Sequence, residues 1–331
     1  MQKLQKAARN NQHVVRLLVI MVCWLIFMAI TRFQKFYTFL NFQTIASQFP
    51  EFGLMSLGVM LCMITGGIDL SCVGVANLTS ILMAMLMTKL AGGADASLGG
   101  GWFPVIFLLA MAIGALCGLF SGFLVSRIRI PPILATLGVN ELLSGVCIVL
   151  TDGAAYSSFP KDMTNALSAN IGGVVPVRLL VFIVAAVAVW FMLERTTYGL
   201  KLHLLGTSEK VAVYSGLKTN RLLLRTYMTS GILSSLGGLM MLATYASARA
   251  DYGSQYTLQT ILIVVLGGVS PNGGKGRISG VILAIFVLKL LESGINRFQN
   301  MSSYYISLIW GGVLILAMML DYFTSNKRVR S

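Results

Sequence analysis

Apolar stretches of about the length of a bilayer crossing recur along the whole chain, separated by short polar segments. They predict ten helices. The first five are Val14 to Ile30, Ile45 to Ile64, Val73 to Leu90, Phe103 to Val125 and Pro132 to Leu150. The others are Val177 to Leu193, Thr226 to Ala246, Thr257 to Val269, Ser279 to Ile295 and Ser302 to Leu320. The pattern is that of an all-α integral membrane protein with about ten transmembrane helices. One stretch departs from it. Glu194 to Arg225 holds six Lys/Arg against two acids, Glu194 and Glu209. Within it Leu204, Leu205, Val211 and Tyr214 recur at helix-like spacing, which predicts one or two short amphipathic helices at the membrane surface. Such a loop either joins two halves of a bundle or offers a docking surface to a soluble cytoplasmic partner.

Two of the apolar segments do not read as plain helices. The second runs into Thr65-Gly66-Gly67 and then Ile68-Asp69-Leu70-Ser71, so Asp69 lies between two apolar runs with no room for an ordinary loop. The eighth is short and ends in Gly267-Gly268 before Ser270 to Arg277. Gly-interrupted segments in corresponding places of the two halves suggest an internal two-fold repeat, with broken helices near a pathway. In the fourth segment Gly114, Gly118 and Gly122 stand four apart, a smooth face for close helix approach.

Charge orients the chain. Of its 331 residues 56% are hydrophobic and 11% charged, leaving too little charge to solvate a soluble enzyme of this size. A net charge of +14 would ordinarily raise nucleic acid as a partner, but the cations sit in short loops between spans. With the N-terminus inside, 17 of the 25 Lys/Arg fall on the cytoplasmic side and seven outside, with Lys289 within a span. The expected arrangement is a single transmembrane domain over residues 1–331, multi-pass, both termini cytoplasmic. The charged start of the chain lacks a small-residue cleavage site after its apolar run, so it is expected to stay as the first span.

Candidate chemistry is sparse. Asp69 is a carboxylate near membrane depth, open to two roles: a pathway or gate residue, or a cap on the free N–H groups of the third span. Gly66, Gly67, Ser71, Gly267 and Gly268 accompany it as pathway or gate candidates. Glu141 lies within the fifth span, and Lys289 and Glu292 are three apart in the ninth, where they can neutralise each other. Pro131-Pro132 marks a rigid helix start, and Gly273-Gly274-Lys275-Gly276 a structural turn. That turn is not a phosphate-binding loop, since Val269 and Gly276 stand where Gly and Ser/Thr are needed. No catalytic constellation appears, and His13 and His203 are isolated. The five cysteines lie in or beside apolar spans without a CxxC, so no metal and no disulfide is expected.

Four stretches together carry a resemblance: ITGGIDLS (Ile64 to Ser71), RIPP with ILATLG (Arg129 to Gly138), TTYG with LGTSE and SGL (Thr196 to Leu217), and VVLGGVSPNGGKGRISG (Val264 to Gly280). The chain resembles the membrane permease subunit of bacterial ABC importers for ribose and other simple sugars, whose branches also serve autoinducers and nucleosides. The resemblance implies a paired permease in the bacterial cytoplasmic membrane. It implies two cassette ATPase subunits below, a periplasmic or lipid-anchored solute-binding protein above, and a second permease copy or paralogue beside it. It further implies that residues 194–225 form the ATPase-coupling loop, with Gly199, Leu204, Leu205, Gly206, Glu209, Val211, Tyr214 and Gly216 as coupling residues. ATP and Mg would be held by the partner, with no cofactor bound by this chain; membrane lipid is a further partner and nucleic acid is not expected. Cys72-Val73, Ser208, Lys210 and Val211 depart from the family's usual residues, and Glu141, Lys289 and Glu292 take places usually uncharged. The expected function is import of a small polar solute, a monosaccharide such as a pentose or hexose, by alternating access. The alternatives are a proton-driven carrier using Asp69, Glu141 or Glu292, and a non-transporting scaffold.

Overall fold

A computed structural model describes residues 12–94 and 96–298, with residues 308, 311, 312, 315 and 319 beyond them. The predicted tenth span, Ser302 to Leu320, and the terminal cations Lys3, Lys6, Arg9, Lys327, Arg328 and Arg330 lie outside the continuous described stretch. The described residues are mostly helical. In order come α1 (Gln12–Phe36), α2 (Phe39–Ile64), α3 (Cys72–Ala91), α4 (Phe103–Phe123), α5 (Pro132–Thr151) and the short α6 (Asp162–Ser168). A two-stranded ribbon follows, β1 (Asn170–Ile171) antiparallel to β2 (Val175–Pro176). Then come α7 (Val177–Glu194), α8 (Thr197–Thr207), α9 (Glu209–Tyr214), α10 (Thr219–Tyr245), α11 (Tyr256–Leu266) and α12 (Ile278–Ile295).

Seven of these helices are long and apolar enough to cross a membrane: α1, α2, α3, α4 with its flanking turns, α5, α7 and α12. The expected ten spans are therefore not all met among the described residues. α11 has 11 residues, and α10, though 27 residues long, carries too many small and polar residues to qualify. Packing explains α10. It lies against α4, α2 and α3, and its Ser230, Gly231, Ser234, Ser235, Gly237 and Gly238 are buried. A helix enclosed by others needs close backbone approach more than grease. Its start differs from expectation too. Helix begins at Thr219, so residues 219–225, read from the sequence as the end of the basic loop, form the first two turns of α10. α2 likewise starts at Phe39 rather than Ile45, because the Thr38 side chain caps it by accepting from the Asn41 N–H.

α2 and α10 form the centre, with α3 and α12 beside them. α1 sits at the edge against α12, held by the Trp24 indole donating to the Leu290 carbonyl at 3.1 Å. The outer helices keep open apolar faces, among them Leu108, Leu116, Val149 and Val184. Such rows are costly in water and at home against lipid tails. At one end of the bundle lie α8, α9 and the turn 270–276. At the other lie the loops after α5 and α10, tied by paired backbone hydrogen bonds between Tyr156 and Ala248.

Candidate functional site

The first feature is a junction made almost wholly of backbone. α2 stops as Gly66 takes a left-handed φ of +86°, its N–H donating to the Met63 carbonyl (3.0 Å) and that of Gly67 to Cys62 (3.2 Å). α11 stops in the same way. Gly268 has φ +87°, its N–H donating to Val265 (2.9 Å) and that of Val269 to Val264 (3.1 Å). The turn after α11 then folds back onto the end of α2, where the Gly274 N–H donates to the Ile64 carbonyl at 2.9 Å. α8 closes the triangle. A Cβ at Gly206 would lie 1.9 Å from the Ile64 oxygen, and one at Gly273 2.8 Å from both the Gly206 oxygen and the Gly66 nitrogen. His203 Nδ1 is 3.2 Å from the Gly274 carbonyl. α8, the end of α2 and the 270–276 turn are thus in direct contact, largely through backbone.

Gly274→Val tests this clamp. The position has φ +74°, and an added Cβ would meet the Thr207 hydroxyl at 2.6 Å. The variant is expected to insert in the membrane at normal levels and to lose most of its transport. Wild-type uptake would show that the turn bears no such strain. Lys275 in the same turn is exposed; its carbonyl accepts from the Ser270 N–H at 3.0 Å, and Gly276 packs against Ile64 and Val269. Gly267 faces α12, since a Cβ at Gly280 would fall 2.1 Å from its oxygen.

Asp69 sits just beyond the α2 break, buried. One carboxylate oxygen accepts from the N–H (2.9 Å) and hydroxyl (2.6 Å) of Ser71, the residue before α3. The other accepts from the Ser230 hydroxyl of α10 at 2.6 Å. The anion is thus held at the N-terminus of α3, where the helix dipole favours it, and ties that end to α10. Gly67 packs between Tyr227 and Pro132, which brings the Pro131-Pro132 start of α5 to the same place. A small cavity of about 280 Å³ opens here, lined by Gly66, Arg129, Pro131, Glu209, Asn220 and Tyr227 among others. Across it Arg129 and Glu209 pair at 3.7 Å, both sides largely exposed, a contact worth little on its own.

The basic loop divides by face. In α8, Gly199, Leu202 and Leu205 are buried, and a Cβ at Gly199 would lie 1.8 Å from the Leu193 oxygen. Tyr198 is also turned inward. It shares a 2.8 Å hydrogen bond with Thr226, and burial pushes its phenol up to about 12. The outer face carries Leu200, Leu204, Val211, Val213 and Tyr214, the last 90% exposed. Leu204 and Leu205 were expected to share one docking face; successive positions of a helix lie about 100° apart, and Leu205 is 4% exposed. Glu209, expected to meet a partner's cation, has one in this chain, Arg129. Gly216 follows α9 with φ +76°, its N–H donating to the Val213 carbonyl at 2.9 Å, and a Cβ there would meet nothing within 4 Å.

A second cavity, of about 490 Å³, lies toward the opposite end, between α3, α5 and the loop after α10. Asn77, Asn140, Glu141, Ser144, Arg249 and Asp251 contribute its polar lining. Of these only Glu141 was singled out in the sequence, although an Asn inside an apolar run is itself a signal. Two buried charged residues, Glu51 and Arg178, were missed as well, while the expected Lys289–Glu292 pair is present. Glu51 of α2 accepts a long (3.5 Å) hydrogen bond from Tyr256, and Arg178 of α7 donates to Ser47 (2.9 Å) and to Thr244. Lys289 donates to Glu292 at 3.1 Å, so these two offset each other inside the bundle. Glu51 was visible as an acid in an apolar run; Arg178, at the start of the sixth predicted span, was counted only among the outer cations.

Compared with known proteins, residues 41–320 match the family described as branched-chain amino acid transport system / permease component. The chain is 31% identical over 286 residues to the ribose import permease protein RbsC of Bacillus subtilis (strain 168), covering 85% of this chain and 84% of that protein. It is 29% identical over 279 residues to the autoinducer 2 import system permease protein LsrD of Escherichia coli (strain K12), covering 82% and 81%. No solved structure matches.

Proposed function

The chain belongs to the family of branched-chain amino acid transport system / permease components, as a sugar-type ABC importer permease of the multi-pass membrane class, and from that premise we propose that it imports a monosaccharide, a pentose or hexose. The observation that carries this reading is the 490 Å³ cavity lined with two amides, two carboxylates and an arginine inside an otherwise apolar bundle. It is in the size range of small-molecule sites and offers the hydrogen bonds a polyol requires. The similarity to a ribose import permease over most of both chains supports the same solute class.

The mechanism is alternating access. Cassette ATPases dock on α8 and α9, and their closure displaces α8, which drags the α2 end and the 270–276 turn through the glycine contacts described above. ATP and Mg belong to those partners. A solute-binding protein, periplasmic or lipid-anchored, delivers at the opposite end, and a second permease copy or paralogue completes the pathway. α10 and α11 cross the membrane beside the seven long, apolar helices, with both termini cytoplasmic in the bacterial inner membrane. The matching turns at Gly66 and Gly268 support a two-fold repeat, with these two breaks as its equivalent points.

Reconstitution tests the reading. Proteoliposomes holding the permease with its cassette and binding protein are expected to take up ribose or another neutral pentose or hexose only with ATP on the cassette side. Uptake driven by a pH gradient without the cassette would overturn it in favour of a proton-coupled carrier.

A further inference from the structure

The cavity away from α8 and α9 has an asymmetric lining that bears on which solutes it admits. Its acceptors and donors can be followed one by one. Asn77 is almost wholly buried; its amide N–H groups donate to the carbonyls of Ala250 (2.7 Å) and Tyr252 (3.0 Å). Its Oδ1 makes no hydrogen bond among the described residues, a buried acceptor that costs free energy until a donor reaches it. Asn140 Oδ1 accepts from the Gly74 N–H at 3.0 Å, and its Nδ2 reaches Glu141 Oε1 at 3.4 Å, a long contact that does little to satisfy the carboxylate. Glu141 is exposed and makes no ion pair among the described residues. Arg249 is paired with Asp251 at 2.9 Å, so the one cation of the lining is offset by its neighbour. The cavity therefore carries one formal negative charge and a buried acceptor, Asn77 Oδ1, without a donor among the described residues.

We propose that Glu141 is a selectivity residue, making this cavity admit neutral or cationic donor-rich solutes, such as sugars and amino sugars, and reject carboxylated or phosphorylated ones. The physical basis is simple. Hydroxyl and ammonium groups satisfy Asn77 Oδ1 and the Glu141 carboxylate, whereas an anion meets like charge in a cleft with low-dielectric walls. This rests on the permease reading above, but its test needs no solute.

Ser144 lies one helical turn beyond Glu141 on α5 and lines the same cavity. With the native cysteines replaced by serine, Ser144→Cys gives a reporter thiol. Its rates of modification by a trimethylammonium-ethyl and by a sulfonato-ethyl methanethiosulfonate are measured in membrane vesicles at low ionic strength. A single charge about 6 Å away acts oppositely on the two reagents, so Glu141→Gln is expected to lower the cation-to-anion rate ratio about fivefold to tenfold. Glu141→Asp should keep the ratio, and the difference should shrink in 1 M salt. Should Glu141→Gln fail to insert, Glu141→Ala carries the same expectation. A ratio changed less than twofold by loss of the charge, or a thiol closed to both reagents, overturns the inference while leaving the permease reading intact. Absence of ATP-driven uptake with a normal thiol ratio does the reverse.

Discussion

Gly118→Val should destabilise the folded protein severely, with Gly114→Val close behind. A Cβ at Gly118 would sit 2.2 Å from the Tyr227 carbonyl oxygen and 2.9 Å from the Met228 Cα. At Gly114 it would meet the Gly231 oxygen at 2.3 Å, and a Cβ at Gly231 would lie 2.0 Å from the Gly114 oxygen in return. These neighbours are backbone atoms of α10 and have no rotamer to escape into, so the two helices must part. On α4 the same face carries Ser121, 3.4 Å from the Ser71 hydroxyl that binds Asp69, so separation also disturbs that link. Overpacking costs about 1–3 kcal/mol, occasionally more, and a clash with backbone that cannot move aside belongs at the upper end. That is a large share of the ~5–15 kcal/mol that keeps most proteins folded. The measurement is monodispersity and thermal stability of the detergent-solubilised protein. Gly138→Val and Gly145→Val on α5, where a Cβ meets nothing within 4 Å, are the controls and should behave as wild type. A Gly118→Val protein that melts with the controls would show that α4 and α10 do not touch in this way.

That face was half legible in the sequence. The spacing of Gly114, Gly118 and Gly122 announces a helix face for close packing, but nothing in the chain says which helix fills it. α10 was hard to place for the opposite reason. Its Ser and Gly residues lower its apolarity, and only the enclosing helices make sense of them. The Gly66 and Gly268 breaks were readable as interruptions, because Gly pairs after apolar runs end helices. That the two ends meet through the 270–276 turn and α8 depends on contacts between residues far apart in the chain, which local pattern does not encode. The cavity at Asn77 and Asn140 shows the same limit. A polar residue in a span signals a role, but whether it faces a cavity or another helix is set by tertiary packing.

The basic loop is where a wrong face would mislead an experiment, and it gives the other large effect. If cassettes dock on α8 and α9, the energy must come from the side chains turned outward, Leu200, Leu204, Val211, Val213 and Tyr214. Tyr214 stands nearly free of its own chain, and an exposed tyrosine amid aliphatic residues is the kind of group that anchors an interface. Truncating such an anchor often costs about 2 kcal/mol or more, and every ~1.4 kcal/mol is a factor of ten. Tyr214→Ala with Val211→Ala is therefore expected to weaken cassette binding well over tenfold, and to abolish the ATPase stimulation that loaded binding protein produces. Leu205→Ala should act differently. Its side chain is buried within the permease, so the variant should lower thermal stability by the roughly 2–5 kcal/mol typical of a core leucine. The folded fraction should still bind cassette normally. Breaking the exposed Arg129 pair through Glu209→Gln should change stability by less than about 1 kcal/mol. Co-purification of the cassette and its stimulated ATPase rate in proteoliposomes separate these outcomes. A Tyr214 and Val211 double variant that retains its cassette within threefold of wild type would remove α8 and α9 as the dock. The clamp of Gly206, Gly273 and Ile64 would then have to be driven from elsewhere.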